Sequence, residues 1–280
     1  MKTNLECIPC LFEQALRTAM MVTQDEQKIK QVQDELGEII KEISLESTPP
    51  MLAKKMYENV ALITGKEDPY QELKHKSTLE ALALYPSVKE QVSRSIDPLL
   101  TAAKFAAIGN VIDFGVNHGY GLLDEINDVL TREFGVFDYG AFKEHLSKAN
   151  EVLYIGDNAG ESVFDRILIE EMGKNVTYVV RGGPVINDVT LKEALQAGID
   201  TVATIISTGT NIPGAVTEFC GSEFNAAFQK SDMVISKGQG NYESLSDEER
   251  SIFFLLIVKC NLVAEEIGVQ KGELVLKGIN

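Results

Sequence analysis

The sequence predicts an α/β fold in which a doubly wound, mostly parallel sheet follows a helical N-terminal region. From about residue 150 onward, short apolar runs alternate with helical stretches, which is typical of a parallel sheet covered by helices. Before that point, apolar residues recur at helical spacing. The composition, 44% hydrophobic and 24% charged, is that of a globular protein with a sizeable core. We therefore expect a mainly helical region over residues 1–145 and a Rossmann-like α/β domain over residues 146–280.

The helical region is divided by proline and glycine residues. Thr48-Pro49-Pro50 marks the start of one helix, and Gly65 marks its end. A Gly-rich bend at Gly115, Gly119 and Gly121 is expected to close the region. The spacing predicts helices over residues 11–20, 32–43, 51–64, 70–84 and 99–112.

The α/β domain is predicted as alternating strands and helices. We predict strands over residues 151–155, 175–180, 201–206, 233–236 and 273–276. Helices are expected over residues 161–172, 190–196, 213–219 and 247–266. Ser246 and Glu249 form a capping-box pattern at the start of the last helix.

The charge of the chain limits its partners. Lys and Arg total 26 and Asp and Glu total 42, which gives a net charge of −16. Such a surface repels nucleic acid and anionic membranes, so we expect neither as a partner. The sequence contains no apolar run of the roughly 18 residues that a membrane span requires and no secretory signal pattern, and four cysteines do not form a disulfide framework. We expect a cytoplasmic protein.

The most informative segment is the loop that follows the first predicted strand of the α/β domain, Gly156-Asp157-Asn158-Ala159-Gly160-Glu161. Ligands of open α/β sheets bind at the carboxyl edge of the strands, where this loop would lie. A carboxylate beside an amide oxygen suits a hard cation such as Mg²⁺ or Mn²⁺. The alternative is that Asp157 and Asn158 form only a turn with a helix cap.

Each of the next three predicted strands is also followed by a polar, Gly-containing loop. Asp188 would add a third oxygen ligand, unless it only caps the following helix. The loop Ser207-Thr208-Gly209-Thr210-Asn211 offers hydroxyls and a close backbone approach to a phosphate. Lys237 supplies a positive charge for a transferring phosphoryl group, although a lone lysine is more often solvated. These loops would meet at one sheet edge.

These motifs together resemble the DUF89 proteins, the damage-control phosphatase or ARMT1-like family. The resemblance covers nearly the whole chain in order, and an N-terminal Cys-x-x-Cys matches the prokaryotic branch. It is carried by the segments at residues 7–10, 68–74, 109–113, 156–161, 181–190, 207–214, 236–245 and 259–260.

The resemblance implies a metal-dependent phosphomonoester hydrolase that acts on small phosphorylated metabolites, such as sugar phosphates or damaged and side-product phosphometabolites. The metal would be Mg²⁺, Mn²⁺, Co²⁺ or Ni²⁺. By the family pattern its ligands would be Asp157, Asn158 and Asp188. We predict Asp157 and Lys237 as the catalytic residues. Substrate contacts are expected from Ser207, Thr208, Gly209, Asn211, Glu161 and Lys259.

Two mechanisms and two other functions remain open. Either metal-activated water attacks phosphorus, which we favour, or Asp157 attacks and forms an aspartyl phosphate. The competing functions are an S-adenosylmethionine-dependent carboxyl methyltransferase and a non-catalytic metal- or metabolite-binding protein. Asp188 and Lys237 argue against the methyltransferase because a cationic methyl donor needs neither of them.

The pair Cys7 and Cys10 has an open role. Cys-x-x-Cys can bind Zn²⁺ or an iron–sulfur cluster or can cycle as a dithiol. Because Cys220 and Cys260 are isolated in the sequence, we favour a role without a metal for this pair.

Overall fold

The computed structural model describes residues 1–109 and 129–279, and these contain one seven-stranded sheet. The prediction of a mostly parallel α/β sheet is confirmed. The order across the sheet is β1-β7-β6-β5-β2-β3-β4. The strands are β1 (Phe134–Phe137), β2 (Glu151–Ile155), β3 (Asn175–Val180), β4 (Thr204–Ser207), β5 (Met233–Lys237), β6 (Ile252–Ile257) and β7 (Leu274–Ile279).

Helices surround the sheet and precede it in the chain. The first five described helices are α1 (Cys7–Val22), α2 (Glu26–Lys41), α3 (Pro49–Thr64), α4 (Gln71–Arg94) and α5 (Pro98–Ile108). Those that follow β1 are α6 (Tyr139–Lys148), α7 (Ser162–Met172), α8 (Leu191–Ala197), α9 (Ser222–Lys230), α10 (Gln239–Leu245) and α11 (Asn261–Ile267). The predicted bend at Gly115, Gly119 and Gly121 lies outside the described residues.

The sheet is doubly wound around the boundary between β2 and β5. Strands β2, β3 and β4 are neighbours in parallel, and the chain then crosses to add β5 and β6, also in parallel, on the other side of β2. Only the pairing of β6 with β7 is antiparallel among the described strands. The switch point therefore lies where β2 and β5 end side by side, which is where such sheets bind ligands.

Alternate residues of the strands enter two separate cores. On one face, Tyr154 and Ile235 pack with side chains of α4, α5 and α7. On the other face, Leu153 and Val234 pack with side chains of α9, α10 and α11. Strands buried on both faces are near-continuous apolar runs in sequence, and the runs of β2 and β5 have this character.

Helices α1, α2 and α3 form a third core of their own around residues such as Leu11, Val32 and Met56. Helices α4 and α5 instead contribute to the core beneath the sheet. The strand β1 joins the sheet through β7. The division of the chain at residue 145 stays a prediction, and the packing marks α1–α3 as the unit with the most independent core.

Local signals explain several helix boundaries. Asp25 caps α2 by accepting hydrogen bonds from the backbone N–H groups of Gln27 and Lys28. Gly65 ends α3 in a left-handed conformation with φ +72°, which glycine adopts without a steric cost. The predicted end of that helix is therefore confirmed.

The predicted helix over residues 247–266 is wrong. Residues Ile252–Ile257 are β6, a fully buried strand between β5 and β7, and the helix α11 begins only at Asn261. A short, uninterrupted apolar run fits a buried strand as well as a buried helix, so periodicity alone does not distinguish them. The predicted capping box at Ser246 and Glu249 consequently begins no helix.

Other differences concern short elements. Residues 213–219, predicted as a helix, contain only the 3₁₀ turn Thr217–Phe219. The strand predicted at residue 201 begins at Thr204, because Ile199–Thr201 form a 3₁₀ turn. The helices α9 and α10 and the strand β1 were not expected. Among the described residues, no helix is both long enough and apolar enough to cross a membrane.

Candidate active site

The loops that follow β2 and β3 meet at the switch point. The backbone N–H of Val189 donates to the carbonyl oxygen of Asp157 at 2.8 Å, and Asn158 and Asp188 form an isolated antiparallel bridge. All three residues proposed as metal ligands are nearly buried, with Asp157 8%, Asn158 3% and Asp188 3% exposed. The structure thus brings these predicted ligands to one place at the carboxyl edge of the sheet.

The position of Asp157 depends on a glycine after β5. Gly238 has φ +78°, and a Cβ at this position would lie 2.0 Å from Oδ2 of Asp157. Any other residue would displace the carboxylate as well as strain the backbone. Gly238 therefore leaves space for the carboxylate of Asp157, which follows the neighbouring strand β2.

Asn158 does not serve as a helix cap. Its Nδ2 donates to Oδ2 of Asp157 at 2.6 Å and to Oε2 of Glu161 at 3.0 Å. The residue before α7 is Glu161, whose side chain makes no cap hydrogen bond. Because both amide hydrogens are used, the remaining polar atom of the Asn158 side chain is Oδ1, an oxygen suited to a hard cation.

Asp188 is paired with a buried arginine. Nε of Arg181 donates to Oδ2 of Asp188 at 2.7 Å, and NH2 of Arg181 donates to Oδ1 of Asn241 at 3.0 Å. The cap of α8 is Thr190, through a capping box with Glu193, so the alternative reading of Asp188 as a cap is wrong. Arg181 orients the Asp188 carboxylate and partly neutralises it.

Lys237 lies beneath the site in a buried ion cluster. Its Nζ donates to the carbonyl oxygen of Ala106 at 2.7 Å, to Oδ1 of Asp165 at 2.6 Å and to Glu161. The hydroxyls of Tyr154 and Tyr178 donate to the same Asp165 carboxylate at 2.7 and 2.8 Å. All three N–H bonds of Lys237 are therefore used within the protein, and its predicted contact with a phosphoryl group stays a prediction.

The buried charges at the switch point do not balance. Within residues 1–109 and 129–279, four carboxylates, those of Asp157, Glu161, Asp165 and Asp188, are buried there with two cations, Arg181 and Lys237. Burial raises the pKa of Asp188 to about 7 although Arg181 opposes the shift. Burial likewise raises the pKa of Glu161, against the effect of Lys237. With all groups ionised, two negative charges remain uncompensated, which is costly in a low-dielectric interior.

These residues fit a divalent cation. Two carboxylates and an amide oxygen are hard donors, and a charge of +2 offsets the excess negative charge. Among residues 1–109 and 129–279, no three His, Cys, Asp or Glu side chains are grouped so that they could hold a metal ion. The candidate donor set therefore depends on the Asn158 amide and leaves positions for water or substrate oxygen.

A cavity of about 450 Å³ opens onto this edge of the sheet. Asp157, Asn158, Asp188 and Lys259 line it, and α1 and α3 form the facing wall with Gln14 and Tyr57 among their polar side chains. Lys259 is exposed, and its positive charge lowers the pKa of Asp188 against the larger effect of burial. Lys259 is thus placed to contact an anion bound beside the acids.

A larger groove of about 580 Å³ lies at the opposite edge of the sheet, along the starts of β2 and β3. Its lining includes Lys174 and Lys230 but none of the residues predicted for the site. Size therefore does not identify the functional cavity here. The cavity at the switch point is the candidate because the buried acids converge there.

The loop Ser207–Asn211 packs beside the site and does not line the cavity. The backbone N–H of Gly182 donates to the carbonyl oxygen of Thr210 at 2.8 Å, and the backbone N–H of Gly209 donates to Oγ of Ser207 at 2.9 Å. Thr208 is fully buried. The loop supports the Arg181–Gly182 segment, and its predicted phosphate contact stays a prediction.

Three thiols are among the groups that line the same cavity. Cys7, Cys10 and Cys260 line it, although Cys260 is distant in sequence. Cys220 lies apart in the core under α9. All four thiols are free. Burial raises the pKa of Cys7, which disfavours its thiolate form.

Sequence reasoning missed three residues of the site. Asp165 appeared only as part of a predicted helix, Arg181 only as the start of a loop motif, and Asn241 only within the segment after β5. Asn241 joins the loops, since its Nδ2 donates to the carbonyl oxygens of Gly156 and Lys237 and its Oδ1 accepts from Arg181. A buried position for a polar residue, next to predicted acids, is the signal that could have identified them.

Comparison with known proteins identifies the family of the chain. The sequence profile of the damage-control phosphatase ARMT1-like domain matches residues 3–275. A damage-control phosphatase from Pyrococcus horikoshii is 36% identical to the chain, over 98% of this chain and 97% of that protein. A damage-control phosphatase from Archaeoglobus fulgidus is 36% identical, over 99% of both chains.

An uncharacterized protein from Methanocaldococcus jannaschii is 37% identical over 98% of this chain and 95% of that one. The crystal structure of a DUF89 family protein from Pyrococcus horikoshii matches the fold with a TM-score of 0.91 at 36% identity, over 99% of this chain and 98% of that one. The resemblance found in the sequence motifs is thereby confirmed. The chain belongs to the ARMT1-like damage-control phosphatase family.

Proposed function

We propose that this protein is a metal-dependent phosphatase that hydrolyses phosphomonoesters of small metabolites. The observation that carries the proposal is the meeting of Asp157, Asn158 and Asp188 at the switch point, with excess buried negative charge, beside a cavity that contains Lys259. The names of the relatives from Pyrococcus horikoshii and Archaeoglobus fulgidus support phosphatase activity.

The metal would be held by Asp157, Asn158 and Asp188. A bound Mg²⁺, Mn²⁺, Co²⁺ or Ni²⁺ would supply Lewis-acid polarisation of a phosphoryl oxygen and a nucleophilic water. Arg181 fixes the orientation of Asp188 through its 2.7 Å hydrogen bond. Glu161 fixes Asn158, whose amide hydrogens point to the acids and leave Oδ1 for the ion.

Two lysines would act on the phosphate side in different ways. Lys259 lines the cavity and would contact the phosphoryl group directly. Lys237 would act through Glu161 and Asp165, unless substrate binding draws its ammonium away from them. A direct role for Lys237 requires loss of at least one of its three hydrogen bonds, those to Ala106, Glu161 and Asp165.

The substrate would be a small phosphorylated metabolite, in keeping with the relatives named damage-control phosphatases. The cavity wall opposite the acids carries hydrogen-bonding groups: the hydroxyl of Tyr57 donates to Oε1 of Gln14 at 2.9 Å, and Nε2 of Gln14 donates to Sγ of Cys10 at 3.0 Å. Such groups suit a hydroxyl-bearing, sugar-phosphate-like substrate. A cytoplasmic location stays a prediction.

A screen tests the proposed function. The chelator-treated protein is assayed with Mg²⁺, Mn²⁺, Co²⁺ and Ni²⁺ against a generic aryl phosphate and a panel of phosphorylated metabolites. We expect turnover only with added metal, and its loss in Asp157→Asn. The matched control is Asp200→Asn, an exposed acid in the turn before β4 that should keep full activity. Absence of turnover with every metal and substrate would refute the proposal. Stabilisation by S-adenosylmethionine in a thermal melt would favour the methyltransferase instead.

A further inference from the structure

Ile186 has a backbone conformation that its side chain disfavours. Among residues 1–109 and 129–279 it is the one non-glycine residue with positive φ, at +43°. A β-branched side chain in the left-handed region crowds its own backbone and is a genuine outlier. Strain of this kind persists only where surrounding contacts impose it, and it is concentrated at functional sites.

The contacts that impose this conformation lie on both sides of Ile186. The backbone N–H of Asp188 donates to the carbonyl oxygen of Val185 at 3.1 Å, which closes a turn around Ile186 and Asn187. The carbonyl oxygen of Asn187 accepts from the N–H of Ala159 at 2.9 Å. The turn is therefore attached to the Asp157–Asn158 loop immediately before the candidate ligand Asp188.

The turn places Ile186 at the cavity. Ile186 is half-buried and lines the cavity beside Asn187 and Asp188, while the facing wall comes from α1 and α3. Glycine would adopt the same backbone conformation without strain. A glycine would, however, leave the cavity wider next to the acids.

We propose that Ile186 is a specificity-determining residue: its strained turn places a branched apolar side chain in the cavity, where it limits the size of the group attached to the substrate phosphate. This inference rests on the proposed function and deepens it. The strain is the cost of a branched apolar wall, which glycine and alanine would not supply at this position.

Two variants separate the wall from the strain. Ile186→Ala removes the branched side chain but keeps a Cβ at positive φ, whereas Ile186→Gly removes both. Without metal, Ile186→Gly should be more stable than Ile186→Ala, because only glycine relieves the strain. In urea unfolding, its equilibrium constant for unfolding should be about fivefold smaller than that of Ile186→Ala.

Specificity is measured with two substrates, with Mn²⁺ added to the wild type and to both variants. The ratio of kcat/KM for 1-naphthyl phosphate to that for glycerol 1-phosphate should rise about tenfold or more in both variants, as expected when a few methyl or methylene groups leave an apolar pocket wall. Calorimetric binding of phenylphosphonate and methylphosphonate provides the same comparison without turnover.

Three results would overturn the inference: an unchanged selectivity ratio in both variants, equal or greater stability of Ile186→Ala relative to Ile186→Gly, or failure of the wild-type protein to bind either phosphonate. The wild type should prefer methylphosphonate to phenylphosphonate, and both variants should weaken this preference. If this is observed but the wild type hydrolyses no phosphate ester, the proposed function fails and the inference about Ile186 stands. The two failures are therefore distinguishable.

Discussion

Replacing Lys237 by methionine should destabilise the protein strongly, even without substrate or metal. The side chains of Lys237 and Asp165 are 0% exposed and that of Glu161 is 3% exposed. Burial alone would lower the pKa of Lys237, but the two carboxylates outweigh it and raise the pKa, so the lysine is charged. Methionine has a similar length and cannot neutralise these acids.

The expected loss is about 3–5 kcal/mol, which is typical when one partner of a buried ion pair is removed. For a chain of 280 residues, the unfolding entropy is about 0.6 kcal/mol/K, so the midpoint of thermal unfolding should fall by about 5–8 °C. The matched control is Lys230→Met, whose ion pair with Glu151 spans 3.2 Å between side chains that are 77% and 51% exposed. That surface pair contributes about 0–1 kcal/mol, so the control should melt within about 2 °C of wild type.

A second variant tests the cause of the loss. Adding Asp165→Asn to Lys237→Met removes one unpaired carboxylate, while the asparagine can still accept a hydrogen bond from Tyr154 or Tyr178. The double variant should therefore recover part of the lost stability. Calorimetric melting of the four proteins is the assay. A single-variant loss below about 1 kcal/mol, or a double variant less stable than Lys237→Met, would refute the role of Lys237 as the buried counter-ion.

Four further predictions concern the site. Gly238→Ala should cost more than about 1 kcal/mol of stability and displace Asp157, whereas Gly140→Ala, which meets no atom within 4 Å, should be neutral or stabilising in a thermal melt; equal effects would contradict this. Lys259→Ala should raise KM for an aryl phosphate about tenfold in steady-state assays, and an unchanged KM would exclude the contact. Burial raises the pKa of Glu243 to about 7 from 4.5. Protonation of this carboxyl therefore stabilises the folded protein fully below pH 4.5, and the contribution is lost as the pH rises to 7. The free energy of unfolding of Glu243→Gln, measured with urea, should lack this decline, and a pH dependence parallel to that of wild type would contradict the prediction. Acid quenching during turnover of a substrate with radiolabelled phosphate should leave no label on the protein, because water attacks phosphorus directly, and hydroxylamine-sensitive label on the Asp157 peptide would show an aspartyl phosphate.

The convergence of Asp157, Asn158 and Asp188 could be predicted because it follows from topology. In a parallel sheet the loops after neighbouring strands share one edge, and β2 and β3 are neighbours here. Residue types then indicated a hard cation without knowledge of any distance. The location of the candidate site at this sheet edge could therefore be predicted from the strand positions alone.

The buried ion pairs of Lys237 and the contact between Arg181 and Asn241 could not be predicted, because these residues lie far apart in the chain. Lys237 contacts Glu161 and Asp165 across 76 and 72 residues, and Arg181 contacts Asn241 across 60. The contact of Gly238 with Asp157 likewise joins two loops that are far apart in the sequence. The strand β6 was missed for a different reason: Ile252–Ile257 is apolar at every position, so it carries no period that separates strand from helix.

Calorimetric titration of a divalent cation into the metal-free protein tests the central claim most directly. Mn²⁺ should bind wild type with one equivalent per chain and bind Asp200→Asn equally well. Asp188→Asn should bind it at least about tenfold more weakly, because one of the two carboxylate ligands is lost while the position and size of the side chain are kept. Binding of Mn²⁺ to Asp188→Asn with unchanged affinity and stoichiometry would contradict the account.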